Sequence, residues 1–231
     1  MQFPQEFSGY NGIVLKQLGP HGSKFSVLTQ DEGKVYLTVL DPRAARKISP
    51  GCLIAFTPQK RTMDTLIAKQ LSFCESNSAT TPRMLAWVHH ILEITYYFSP
   101  VNQPDEHLFT ILLKLIKLPT FYPELVSSWK NVETIGAAVL LHQYGQNFPV
   151  SPESGSRILT RITNVIECSI DFDDCSKIDL LERCAQALSS EFILFLENWI
   201  LASLQSHPAW EEFKTIPFIY NIKNPSKKRM P

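Results

Sequence analysis

The five cysteines of this 231-residue chain, Cys52, Cys74, Cys168, Cys175 and Cys184, form an odd set without a C-x-x-C pair. Zinc ribbons and fingers take ligands from such close pairs, so no zinc site is expected from Cys168, Cys175 and Cys184. The cysteines read as free thiols of a reducing compartment. Long apolar runs are lacking too. The most apolar stretch, Phe192–Leu204, is broken by Glu197 and is too short to span a bilayer. Met1–Tyr10 is polar and mixed rather than a charged-then-apolar leader. The expectation is a cytoplasmic chain with no membrane partner.

Signatures of catalysis are absent as well. Gly19-Pro20-His21-Gly22-Ser23-Lys24 has the composition of a phosphate loop at the wrong spacing. There is no G-x-S-x-G nucleophile turn. His89 and Glu93 stand four apart with His90 beside them, but nothing supplies a third or fourth metal ligand. Asp171, Asp173 and Asp174 lack the glycine and terminal glutamate of a calcium loop. No enzyme, cofactor or metal is expected. Internal repeats and low-complexity tracts are also missing.

What the chain does have is a change of period near residue 75. Before it come short runs of β character: Ile13–Lys16, Lys24–Gln30 with Phe25, Val27 and Thr29 on one face, Val35–Leu40, Cys52–Thr57 and Met63–Leu71. Asp31-Glu32-Gly33-Lys34 makes a tight hairpin turn whose glycine supplies a positive φ. Five such strands in one short segment predict a small barrel of the OB class. After residue 75 the apolar spacing is helical. Thr81 caps a helix with Pro82 at its first position, and Met84, Trp87, Val88, Ile91, Leu92 and Thr95 mark its face. Further helices are predicted from Asp105–Glu106, over Glu124–Tyr144 with Gly145 as its stop, over Arg157–Ile166, Ile178–Leu188 and Ser190–Gln205, with breaks at Pro119 and Pro123. Pro149–Gly155 and the acidic Ile170–Cys175 read as loops. The fold class is α+β, an N-terminal five-stranded OB-fold β-barrel followed by an all-helical bundle. The expected domains are 1–75, 82–214 and a basic tail, 215–231.

Basic and acidic residues balance overall, 22 against 22, yet they are segregated. Residues 1–72 carry a net +4, residues 73–216 a net −8, and Lys223, Lys227, Lys228 and Arg229 end the chain with +4. Such segregation concerns partners and steering rather than fold. In the barrel half, Arg43, Arg46 and Lys47 fall between strands three and four, and Lys60 and Arg61 between four and five. Lys16 and Lys34 lie near Tyr36. Cations that hold phosphates beside a ring on which bases stack are what single-strand binding requires. The plainer reading is that these charges only solvate a small domain.

The order of these features resembles the RecO family of bacterial recombination mediators. Gly12-Ile13-Val14-Leu15-Lys16 resembles the family's first strand, Ser26–Val35 its hairpin, and Pro50–Leu71 its last two strands. Pro104–Phe109 with Leu112, Leu113 and Ile116, and Ala137–Phe148 with Tyr144 and Gly145, are similar to two of its helical segments. The resemblance implies a nucleoid-associated, non-enzymatic protein that binds single- and double-stranded DNA and anneals complementary strands. It also implies action with RecR and single-strand binding protein (SSB) to load RecA at gaps. The four-cysteine zinc site of many relatives cannot form here. Where relatives carry arginines that hold the acidic SSB tail, this chain has Val132 and Glu133, with Lys130 as the nearest cation. The competing reading is a protein–protein adaptor whose OB-fold no longer binds DNA.

Overall fold

The computed structural model describes residues 9–19, 22–62, 65–76, 81–121, 129–146, 157–158, 160–164 and 183–220. Five strands, β1 (Tyr10–Leu18), β2 (Lys24–Thr29), β3 (Gly33–Val39), β4 (Leu53–Thr62) and β5 (Thr65–Glu75), close a barrel in the order β1-β2-β3-β5-β4. All pairs are antiparallel except β3 with β5. The connection from β3 to β4 carries one helical turn, α1 (Pro42–Ala45), capped by the Asp41 carboxylate, which accepts from the Arg43 N–H at 2.8 Å. This is an OB-like barrel. Gly33 closes the β2–β3 hairpin at φ +72°, as its place after Asp31-Glu32 predicts.

The first strand shows no polar alternation because both its faces are covered. Val14 points into the barrel with Phe25, Val27, Leu37, Ile54 and Phe56. Ile13 and Leu15 point outward and, with Leu28 and Leu53, join the core of the helical half. A register shift between Val14 and Lys16 lets Leu15 and Lys16 both face away from the barrel interior. One hydrophobic core therefore runs from the outer barrel wall into the helices.

Those helices are α2 (Pro82–Phe98), α3 (Glu106–Phe121), α4 (Trp129–Gln143) and α5 (Ser190–Gln205), then a 3₁₀ turn (Trp210–Glu212) and a short α6 (Ile216–Ile219). Thr81 and Ser189 accept from the backbone N–H groups of Met84 and Phe192, satisfying donors that the first turns of α2 and α5 leave open. Asp105 does the same for Leu108 at the start of α3. Gly145 at φ +72° ends α4: its N–H reaches the His142 carbonyl, and the Gln146 N–H reaches that of Leu141. Every residue from Val132 to Leu141 is buried, so α4 is the central helix of the body. Gly136 is where it meets α2; a Cβ there would lie 2.9 Å from the Trp87 ring.

Three expectations need correction. Lys60 and Arg61 are not in a loop, because the β4–β5 ladder continues to Thr62 opposite Thr65. Pro119 does not end its helix; α3 runs on to Phe121, and a proline so near the last turn costs only one internal hydrogen bond. Residues 215–220, read as the start of a tail, instead fold back on α2. Thr215 and Ile216 are buried, and Glu93 accepts from the N–H groups of Lys214 and Thr215. The Pro149–Gly155 loop, the Ile170–Cys175 turn, Cys168, and the tail from residue 221 lie outside the described residues, as do residues 122–128 of the predicted Glu124–Tyr144 helix. Among the described residues, no helix is long and apolar enough to cross a membrane.

Candidate nucleic-acid interface

In OB-type barrels the outer face of strands two and three, with the loops after strands one and four, is where strands of nucleic acid lie. Here the register places Lys16, Ser26, Tyr36 and Thr65 in one outward row across β1, β2, β3 and β5. The β1 end of that row is occupied by α2. The Lys16 ammonium donates to the Tyr97 hydroxyl at 3.2 Å and sits 4.3 Å from the centroid of the Tyr96 ring. Tyr97 in turn donates to Glu212 at 3.0 Å, and burial with that carboxylate pushes its phenol pKa up. Lys34 is only 7% exposed and donates to the Tyr96 carbonyl at 2.7 Å; burial lowers its pKa. Its backbone carbonyl also accepts from Asn102.

Lys16 and Lys34 therefore join the barrel to α2 and are not presented to phosphates. Replacing Lys16 with Met, which keeps the aliphatic stem, should lower stability by about 1 kcal/mol through the lost cation–π contact. The salt dependence of any DNA binding should not change. A flattened salt dependence in an anisotropy titration would return Lys16 to the interface.

The remaining cations separate into two groups. Arg61 sets its guanidinium on both carboxylate oxygens of Glu32 at 2.8 Å, and Glu32 also accepts from the Tyr10 hydroxyl at 3.0 Å. This pins the β4–β5 hairpin, which also carries Lys60, to the β2–β3 turn. Tyr36, paired with Thr65 at the start of β5, is half-buried. At the other end of the barrel Arg43, Arg46 and Lys47, on α1 and the turn after it, are exposed. None of the three side chains has an acidic partner among the described residues.

Two cations that the sequence reading passed over join this second group. Lys24 is exposed and pairs across the ladder with Thr38; Lys69 is exposed and follows Ala68, the partner of Val39. The signal for them is the strand order, which brings the starts of β2 and α1 and the middle of β5 to one end. Five cations thus border the end of β3.

In the helical half, Lys130 is exposed and pairs with Glu197 at 3.0 Å. Beside it Arg83 grips both oxygens of Glu133, whose burial raises its carboxyl pKa. A carboxylate thus stands where the family pattern would need a cation for an acidic tail. The His89, His90 and Glu93 group is not brought together as a metal site. Glu93 caps the backbone at residues 214–215, and His90 is wholly enclosed between Thr215 and Tyr220. Among the described residues no three His, Cys, Asp or Glu side chains converge to hold a metal. No protein-family model matches the chain, and no curated protein matches it.

Proposed function

We propose that the chain is a RecO-like DNA repair and recombination mediator whose OB-like barrel binds DNA without enzymatic turnover. The observation that carries this reading is the grouping of Lys24, Arg43, Arg46, Lys47 and Lys69, exposed and without acidic partners among the described residues, around the end of β3. Four cations elsewhere are neutralised in place: Arg61 by Glu32, Arg83 by Glu133, Lys117 by Glu75 and Lys130 by Glu197. Cations left open beside an OB-like sheet suit a phosphate backbone, whose neutralisation releases counterions and lets complementary strands approach. Annealing of single strands, binding of duplex, action with RecR and SSB to load RecA, and a cytoplasmic, nucleoid-associated setting belong to the same proposal.

The coverage of Lys16 and Lys34 by α2 favours a second reading, an adaptor whose OB-type face is closed to DNA. Anisotropy of labelled single-stranded DNA at two salt concentrations separates the two. The triple change Arg43→Ala, Arg46→Ala and Lys47→Ala should weaken binding and flatten the slope of log K against log salt by up to about 2, at roughly 0.7 per phosphate. An adaptor shows no salt-dependent binding to alter. Loss of binding only on truncation before Lys223 would move the contact to the basic C-terminus.

A further inference from the structure

Beside the five open cations lies a hollow of about 390 Å³ between Gln17, Gly22 and Ser23, the end of β3, and α1. That volume is toward the lower end of small-molecule sites, which run from about 300 to 1,000 Å³. Its lining is of two kinds. Leu40 and Pro42 offer apolar surface, and Leu40 is 63% exposed, so the fold does not use it as core; the neighbouring Val39 serves there. Gln17, Ser23 and Thr38 bring an amide and two hydroxyls to the same space, and Arg46 stands at its edge. A nucleotide within a strand has the matching form: its base has flat apolar faces and a polar edge, and its sugar carries a phosphate on either side.

We propose that this hollow receives one unstacked base of a single-stranded DNA, the flanking phosphates lying on Arg46, Arg43, Lys24 and Lys69. The inference rests on the DNA-binding reading above and adds to it a ligand form. A base inside a duplex is held by its pair and its stack, so the site selects single strands, whose bases turn out at little cost. Gln17, Ser23 and Thr38 can hydrogen-bond any base edge, so the site carries little sequence preference.

The test uses the full chain with two labelled oligonucleotides of equal length, one of ordinary thymidines and one with abasic residues throughout. Phosphate contacts are common to both; only the first has bases to insert. Wild type should bind the intact strand about tenfold more tightly, the scale of one lost base contact. Leu40→Ser removes apolar wall at an exposed position, and Thr38→Met fills the hollow with an uncharged side chain. Each should erase the preference by weakening the intact strand alone, with the salt slope kept. Equal wild-type affinity for both strands overturns the hollow and leaves the DNA reading standing. A preference that survives in both variants places base contact elsewhere and also overturns it. Binding of neither oligonucleotide overturns the DNA reading and this inference together.

Discussion

Replacing Gly33 with alanine is expected to destabilise the protein by about 3 kcal/mol, the sum of a left-handed backbone penalty and an overpacking penalty. Gly33 holds φ +72°, and a Cβ there would be driven into the main chain of Gln103. Gln103 belongs to the α2–α3 connection. This is the segment whose Asn102 N–H donates to the Lys34 carbonyl at 2.9 Å and whose Val101 bridges to Lys34. The β2–β3 hairpin and the helical half thus touch backbone to backbone, and a side chain cannot be accommodated without separating them. Gly145 provides the control. It has the same φ, +72°, with nothing within 4 Å of its added Cβ, so alanine there should cost only the backbone share, about 1–2 kcal/mol. Urea unfolding of the two variants measures the difference. Equal losses would mean that the Gln103 contact contributes nothing. Set against a typical total of about 5–15 kcal/mol, a loss of 3 is severe.

Acid should unfold the protein partly through one histidine. His90 is fully buried, and desolvation lowers its pKa from 6.5 to about 3. The tautomer follows from its partners. Thr215 has one hydroxyl proton, and it goes to the Glu93 carboxylate at 2.7 Å, which can only accept. The Thr215 oxygen therefore accepts from His90 Nδ1–H at 2.8 Å, which leaves Nε2 to accept from the Tyr220 hydroxyl at 3.2 Å. A second proton on the ring would place a positive charge in a fully buried site, with only the neutral Tyr220 hydroxyl facing it. Below about pH 6.5 the unfolded chain takes up a proton that the folded chain refuses until about pH 3. This contribution to stability is complete above about pH 7 and drains away as the pH falls, the loss amounting to about 3 kcal/mol at pH 4. His90→Gln keeps a polar side chain that does not titrate. The wild-type curve of unfolding free energy against pH should fall more steeply than the variant's between pH 7 and 4. Parallel curves would remove His90 from the account. The segment released first should be residues 212–220, since Glu93, His90 and Tyr97 are what fasten it to α2.

The barrel and most helix ends were legible in the sequence because each depends on neighbours close along the chain. Gly33 marks its turn through its own φ, Thr81 and Ser189 mark helix starts through groups three residues on, and Gly145 marks a stop through carbonyls in the preceding turn. Lys60 and Arg61 fall on a strand and not in a loop because the length of a hairpin is settled by cross-strand pairing, here to Ile67 and Leu66, and not by the charge of its tip. Residues 215–220 fall in with the basic tail in the sequence only because their partners, His90 and Glu93, lie more than a hundred positions earlier.

The candidate interface divides in the same way. Composition and spacing placed a surplus of cations in the barrel half, and they told nothing about which of those cations stay open to a ligand. Lys16 is engaged by Tyr97, 81 residues away, and Lys34 by Tyr96, 62 residues away, while Lys24 and Lys69 become part of a cluster only through strand register. Periodicity and turn chemistry act over a few residues, so the sequence by itself determined the strands, the helices and the sign of the charge on each half. Whether a charge is free or neutralised depends on what packs against it across the fold, and only the tertiary structure decided that.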